Sequence, residues 1–224
     1  MKALQKLVLE EDPTLVFLME TKFVVSKMTL IKRKLDQQQG LVVPNVQHGG
    51  GLALLWKSSM EVDAQTYSPR HIDAIVTKEQ SKKKWRFTWF YRHPETNKRE
   101  ESWRLLEELS TRSTLPWICI GDFNEIMHGQ EKEGGNTHPK WQMKNFCEAV
   151  NRCNLRDIGY TGLDFTWCRR QRTRGWVRER LDRALVSTNW ASTFPIVRLH
   201  HVAASTLDHC MLVLKAPSAK QRRT

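Results

Sequence analysis

Residues 115–124 read LPWICIGDFN, an apolar run that ends in polar residues. A run of apolar residues enters Gly121, after which a carboxylate and an amide follow two residues apart, at Asp122 and Asn124. A short apolar run bounded by such residues is typical of a buried strand. The pattern therefore predicts a core strand that delivers two polar side chains to the place where it ends.

The same arrangement recurs elsewhere in the chain. Glu20 follows the apolar run LVFLM of residues 15–19, and Asp208 and His209 directly precede CMLVL. A layered sheet protein gathers a site from such strand ends. Oxygen ligands without cysteine suit a hard cation such as Mg²⁺, with Mn²⁺ as an alternative.

Each of these pieces also has an ordinary interpretation. Gly-Asp-x-Asn can be a simple Asx turn, because Asp and Asn side chains bond readily to their own backbone. Glu20 can be a solvent-exposed loop residue, and Asp208 and His209 can be a satisfied pair beside a strand.

The rest of the chain alternates short helical and strand patterns. Helices are predicted for residues 4–11, residues 99–112 and a segment that starts at 137–139. Strands are predicted for residues 15–19, 51–56, 72–77, 85–91, 180–186 and 210–214. The pattern indicates one mixed α/β domain over residues 1–215, followed by a basic disordered tail over 216–224.

The charge indicates a polyanionic partner. The chain has 36 Lys and Arg against 24 Asp and Glu, a net charge of +12. Neutralising phosphates releases counterions, and aromatic neighbours can stack on bases. The residues predicted to bind nucleic acid are Lys82, Lys83, Lys84 and Arg86, next to Trp85, and Arg169, Arg170, Arg172 and Arg174, next to Trp176. The ordinary alternative is solvated loops, and it is preferred for the terminal KQRR.

The cysteines and apolar runs exclude other classes. Five cysteines without a Cys-x-x-Cys pair argue against a disulfide scaffold and a structural zinc site. The longest apolar runs are far too short to cross a bilayer, and the first residues lack the apolar core of a secretory signal. A reduced intracellular protein is expected, nuclear if it is active.

Several motifs in their order resemble one family. They are PTLVFLMETK, GGGLALLWK, FYRHPETNKREESW, LPWICIGDFNEI, LDFTW, RERLDRALVSTNW and LDHCMLVL, which run from Pro13 to about Leu214. In this order they resemble the endonuclease/exonuclease/phosphatase superfamily, and within it the endonuclease domain of plant non-LTR (LINE-type) retrotransposons. The resemblance implies a four-layer α/β sandwich of two packed mixed β-sheets flanked by helices.

The resemblance also implies a role for each site residue. Glu20 would bind the metal ion, and Asp208 would complete the Asp-His motif near it. Tyr91, with His93, would lie by the scissile phosphate. Asp122 and Asn124 would position and activate the attacking water and contact the phosphate, while Asp182 would orient His209. A phosphodiester needs such a water, an orienting carboxylate and cations for the developing charge.

The chain departs from the family pattern at its start. Family members begin with a strand that ends in a catalytic asparagine, whereas Met1 here falls directly before the first predicted helix. The resemblance therefore implies that the first strand is missing and that the copy is N-terminally truncated. Loss of an internal strand would leave unpaired backbone on its neighbours.

The other departures are local. Arg92 follows Tyr91 where the family has glycine, and Trp89 also replaces a glycine. Leu207 stands in place of the serine of Ser-Asp-His, and Cys168 replaces a small polar residue. Because glycines near a phosphate permit close backbone approach, the bulky replacements are expected to obstruct the site.

Three functions follow from these observations. The first is a monomeric Mg²⁺-dependent enzyme that nicks DNA, impaired in this copy. The second is a catalytically dead remnant that at most binds nucleic acid. The third is a phosphomonoesterase that acts on small phosphates, which is also a chemistry of this superfamily.

Overall fold

The computed structural model describes residues 2–21, 25–44, 51–92, 95, 99–171, 175–204 and 208–216. The chain divides into two compact units, Met1–Tyr91 and Arg92–Thr224. None of the described helices combines the length and the apolar composition that a bilayer-crossing segment needs.

The first unit has two helices and six strands in its described residues. They are α1 (Lys2–Glu11), β1 (Leu15–Thr21), α2 (Val25–Lys34), β2 (Gln39–Val43), β3 (Gly51–Trp56), β4 (Met60–Ser68), β5 (His71–Lys78) and β6 (Lys84–Tyr91). Strands β1, β3 and β2 form an antiparallel sheet with β3 in the centre. Strands β4, β5 and β6 pair in antiparallel order.

The core of this unit lies against β3, whose six residues are all buried. Such an uninterrupted apolar strand needs cover on both faces. Val8 of α1 and Met28 of α2 belong to the same buried cluster as Leu55 of β3. The rings of Phe17 and Trp89 lie 5.9 Å apart, so β1 packs on β6. Trp89 is 3% exposed and is a core residue, so the expectation that it obstructs a site is wrong.

The second unit has three α-helices and nine strands in its described residues. They are α3 (Arg99–Thr111), β7 (Trp117–Asp122), β8 (Lys132–Glu133), α4 (Lys140–Arg152), β9 (Leu155–Asp157), β10 (Thr161–Gly162), β11 (Trp167–Gln171), β12 (Gly175–Glu179), β13 (Asp182–Ser187), α5 (Thr188–Thr193), β14 (Arg198–Val202) and β15 (Met211–Lys215). Strand β13 pairs antiparallel with β7 and β9. Strand β12 lies between β11 and β8, and β14 lies between β10 and β15.

Aromatic packing holds α3 and α4 on the β7 side of this unit. Trp103 of α3 stacks on Phe146 of α4 with 4.8 Å between ring centroids. Phe123, which follows β7, lies 5.4 Å from Phe146. Glu100 and Glu101 lie in the first turn of α3, where acidic side chains interact favourably with the helix dipole.

The predicted helices and strands are confirmed, most of them to within two or three residues of their bounds. The predicted tail lies outside the described residues from 217 onward. The single domain over 1–215 and the missing first strand stay predictions.

Candidate functional site

Two buried carboxylates face each other where β7 ends and β13 begins. Asp122 and Asp182 are direct cross-strand partners in this antiparallel pair. They are 3% and 2% exposed. Gly121 has a φ of 148°, a conformation that favours glycine, immediately before Asp122. Like charges directly opposite each other destabilise a sheet, so this end of the strand pair calls for a positive partner.

His209 supplies that positive partner. Its Nδ1 lies 2.9 Å from Asp182 Oδ2. Burial lowers the pKa of His209, but the hydrogen bond and charge of Asp182, with the charges of Asp122 and Asp208, outweigh it and raise the pKa to about 9. The imidazole is therefore protonated at neutral pH, and its Nδ1–H donates to Asp182. The aspartate fixes the orientation of the ring.

The backbone around His209 is tied to the start of β11. His209 forms an isolated antiparallel bridge with Trp167. The Cys168 N–H donates to the Asp208 carbonyl at 2.9 Å, and the Cys210 N–H donates to the Thr166 carbonyl at 2.7 Å. The histidine is thus held on both sides by main-chain bonds.

Asn124 closes a tight turn around Asp122. Its N–H donates to Asp122 Oδ1 at 2.7 Å, and its Nδ2 donates to Asp122 Oδ2 at 2.9 Å. Its φ of 45° is a left-handed conformation that asparagine tolerates better than most residues. The Asx turn considered from the sequence is present, and it fixes the carboxylate rotamer beside His209.

Arg92 is buried beneath this turn. Its Nη1 donates to the carbonyls of Phe123 at 3.1 Å and Asn124 at 2.9 Å, and to Glu125 Oε2 at 3.1 Å. Its guanidinium lies 4.2 Å from the ring centre of Trp103. The side chain is 2% exposed, so the expectation that Arg92 obstructs the site is wrong. The arginine packs inward and supports the turn.

Thr166 holds the backbone at the start of β13, and it is not among the residues predicted from the sequence. Its Oγ1 accepts the N–H groups of Leu181 and Asp182, both at 2.9 Å. The side chain is 1% exposed. Thr166 lies in the LDFTW motif, and this motif was the signal that could have identified it.

A buried ion-pair cluster anchors the strand that carries Asp182. Arg183 is fully buried, and its guanidinium pairs with Glu131 at 2.9 Å and Asp157 at 3.0 Å. Arg180 pairs with the same two carboxylates. Each carboxylate thus meets two guanidiniums, and this cluster fixes the backbone on either side of Leu181.

The remaining predicted site residues are described only in part. Glu20 lies in β1 and Tyr91 ends β6, both in the first unit. The Glu20 side chain and all of His93 fall outside the described residues. The Arg70 guanidinium lies 5.3 Å from the centre of the Tyr91 ring. Asp208 is exposed, and its described bond is that of its backbone carbonyl.

The clustered side chains fit a divalent cation on their oxygen atoms. Asp122, Asp182 and His209 each place one candidate ligand atom within 4.8 Å of the others. Carboxylate oxygens are the donors that Mg²⁺ prefers. A protonated imidazole offers no lone pair, so His209 is the least suited of the three to be a ligand. The assignment of Glu20 and Asp208 as metal ligands stays a prediction.

The first basic cluster is only partly available to a partner. Lys82, Lys83 and Lys84 are exposed between β5 and β6. Arg86, however, is 1% exposed, and its Nε donates to both carboxylate oxygens of Asp73 at 2.9 and 3.1 Å. The prediction that Arg86 binds nucleic acid is therefore wrong, because its charge is used inside the sheet.

The second basic cluster lies on the β11–β12 hairpin. Arg169 and Arg170 are exposed on β11. Trp176 is the cross-strand partner of Arg170 and is 58% exposed. Arg172 and Arg174 lie outside the described residues. The described part of this cluster presents two guanidinium groups and an indole to solvent.

Comparison with solved structures shows the fold. The endonuclease domain of TRAS1, a telomere-specific non-LTR retrotransposon, has a TM-score of 0.68 at 11% identity, with 96% of this chain and 91% of that chain covered. The 3'-5' exonuclease NExo from Neisseria meningitidis has a TM-score of 0.69 at 16% identity, covering 96% and 93%. The mannosyl-6-phosphatase Bt3783 of Bacteroides thetaiotaomicron has a TM-score of 0.61 at 16% identity, covering 95% and 88%.

These likenesses confirm the predicted class, a mixed α/β fold of packed mixed β-sheets flanked by helices. A search of curated proteins finds no match. The sequence profile described as the Endonuclease/Exonuclease/phosphatase family matches residues 1–209, nearly the whole chain. The chain belongs to the Endonuclease/Exonuclease/phosphatase family.

Proposed function

We propose that this chain hydrolyses phosphodiester bonds and nicks DNA with Mg²⁺, in the manner of a retroelement endonuclease. The observation that carries the proposal is the His209 imidazole, held by Asp182 at 2.9 Å in one cluster with the Asp122 carboxylate. The likeness to the TRAS1 domain, an endonuclease by its name, supports this choice within the family. A plant LINE-type origin stays a prediction.

Each side chain of the cluster has a distinct chemical task. The Asp122 carboxylate orients an attacking water and accepts its proton, while Asn124 holds that carboxylate in one rotamer. The His209 imidazolium faces the negative charge that develops on a phosphoryl oxygen. Asp182 keeps the imidazole protonated and aligned.

A divalent cation, when bound, would neutralise charge on the phosphoryl oxygens. Asp122 and Asp182 present buried carboxylates for it, and the family resemblance adds Glu20 and Asp208. Mg²⁺ typically uses one or two protein carboxylates and keeps waters or substrate oxygens for the rest.

DNA is favoured over a small phosphate by the exposed cations. Lys82, Lys83 and Lys84 form one exposed patch, and Arg169 and Arg170 lie beside an exposed tryptophan on another. Separate patches of this kind suit a long polyanion, because each neutralised phosphate releases counterions. A small monoester would need one of them at most.

A supercoiled-plasmid assay tests the proposal. The protein is used in excess over the plasmid, with Mg²⁺ or Mn²⁺. Asp122→Asn and His209→Gln should each lower the nicking rate by about 10²- to 10³-fold. Arg104→Ala, at a side chain 74% exposed on α3, is the matched control and should nick like the parent.

Three outcomes would overturn the proposal. Nicking that survives Asp122→Asn would belong to a contaminant. Release of phosphate from mannose 6-phosphate without plasmid nicking would instead assign the chain to the phosphomonoesterases. DNA binding without either activity would show that the chain is a catalytically dead remnant that binds nucleic acid.

A further inference from the structure

Arg92 is bound to the Asp122–Asn124 turn through both its backbone and its side chain. Its N–H donates to the Asp122 carbonyl at 2.9 Å, and its own carbonyl accepts from Asn124 Nδ2 at 3.1 Å. Its Nη1 reaches the carbonyls of Phe123 and Asn124. The same residue therefore contacts every residue of the turn.

We propose that Arg92 is a positioning residue that holds the turn carrying Asp122 and Asn124 in its catalytic geometry. The proposal rests on the proposed function, since it assigns Arg92 a role in the same site. It gives a supporting role in the site to Arg92, which stands where the family resemblance implies a glycine.

The turn needs such support because of its backbone conformation. Asn124 has a φ of 45°, which costs free energy for a residue other than glycine. Phe123 and Asn124 follow the end of β7, so their carbonyls have no place in the hydrogen-bonding pattern of the strand pair. One guanidinium nitrogen satisfies both, and a charged donor makes a stronger bond than a neutral one.

The guanidinium is itself fixed on two sides. It stacks on the Trp103 ring at 4.2 Å and pairs with Glu125, which is fully buried. Arg99 of α3 pairs with the same Glu125 oxygen at 3.2 Å and with Gln142 of α4 at 2.7 Å. The turn is thereby linked through one carboxylate to both helices.

Glycine at this position would remove the donor from two carbonyls and one buried carboxylate. Lysine would keep a charge near Glu125. It has no planar face to stack on Trp103, however, and its donors have a different geometry. We therefore expect arginine to hold the turn best, lysine to hold it less well and glycine to hold it least. If Arg92 were only a lesion at a glycine site, the order would be reversed.

The test compares Arg92→Gly, Arg92→Lys and the exposed control Arg104→Ala by two measurements. The first is amide hydrogen exchange at Phe123 and Asn124 relative to amides within β7 and β13. The second is kcat and KM for plasmid nicking. Exchange is measured on the metal-free protein and needs no activity.

Arg92→Gly should accelerate exchange at Phe123 and Asn124 by about 10-fold relative to the strand amides, with Arg92→Lys between the two. It should lower kcat by about 10-fold or more while KM changes by less than about 3-fold. Arg104→Ala should change neither measurement.

Equal exchange in all variants, or acceleration spread evenly over the strand amides, would overturn the proposal. So would an Arg92→Gly variant that nicks as fast as the parent or faster. If the parent shows no nicking that depends on Asp122, the proposed function fails, and the exchange data alone decide whether Arg92 holds the turn. Should Arg92→Gly not fold, Arg92→Lys carries the same comparison.

Discussion

Replacing Thr166 with valine should destabilise the second unit and impair the site together. Valine has nearly the same shape, but it lacks the Oγ1 that accepts the N–H groups of Leu181 and Asp182. Both donors belong to buried residues. An unsatisfied buried donor costs about 1–3 kcal/mol, so the two should lower the free energy of unfolding by about 2–6 kcal/mol. Urea denaturation followed by tryptophan fluorescence measures this change.

The matched control is Thr166→Ser, which keeps the hydroxyl and loses one methyl group. It should lower the free energy of unfolding by about 1 kcal/mol. The nicking rate of Thr166→Val should also fall by about 10- to 100-fold, because Asp182 loses a backbone anchor and its carboxylate orients His209. If the valine and serine variants unfold at the same urea concentration, the hydroxyl is not the acceptor that the structure assigns.

Three further predictions concern charge. Asp182→Asn should lower the pKa of His209 from about 9 towards its ordinary 6.5, because burial then acts without the hydrogen-bonded charge; NMR titration of the metal-free protein measures it, and an unchanged pKa would contradict the pairing. Burial raises the pKa of Glu131, but its guanidinium partners outweigh this effect and lower the pKa from 4.5 to about 2. Ionised Glu131 therefore stabilises the fold fully above pH 4.5. This contribution of about 3 kcal/mol is lost as the pH falls towards 2. Acid unfolding of Glu131→Gln should lack that loss, and curves of equal shape would refute it. Lys83→Ala with Lys84→Ala should weaken DNA binding and reduce the slope of log affinity against log salt by about 2, whereas an unaltered slope would remove this patch from the interface.

The elements with strong apolar patterns could be predicted from the sequence. Strand β3 is six consecutive buried residues, and α3 carries buried Trp103, Leu106 and Leu109 at helical spacing. Strand β4 was missed because most of its residues are exposed or half-buried, so its sequence lacks an apolar run. Strands β8 and β10 have two residues each, and they are strands only because they pair with β12 and β14. No local pattern specifies such pairing.

The site, too, could be predicted where a local sequence pattern marks the residue, and could not be predicted where the contact depends on a distant strand. Asp122 and Asn124 stand out because an apolar strand ends at them, and the family motifs supplied Asp182 and His209. The sequence predicts an exposed Arg86 because the lysine run in front of it suggests a solvated segment. Its burial depends on Asp73 in the neighbouring strand, which no feature of the lysine run reveals.

Among the lysines and arginines of the described residues, only arginines are buried. Arg86, Arg92, Arg180 and Arg183 are buried and paired with carboxylates, whereas no lysine of the described ranges is buried. Because each buried guanidinium faces a carboxylate, nearly all of the net charge of +12 is left to the surface. Amine-directed acylation, which does not modify guanidinium groups, would therefore remove the lysine charges in steps while the interior ion pairs stay intact. The attraction to a polyanion can thus be lowered without breaking the ion pairs of the fold, down to the share that exposed arginines such as Arg169 and Arg170 supply.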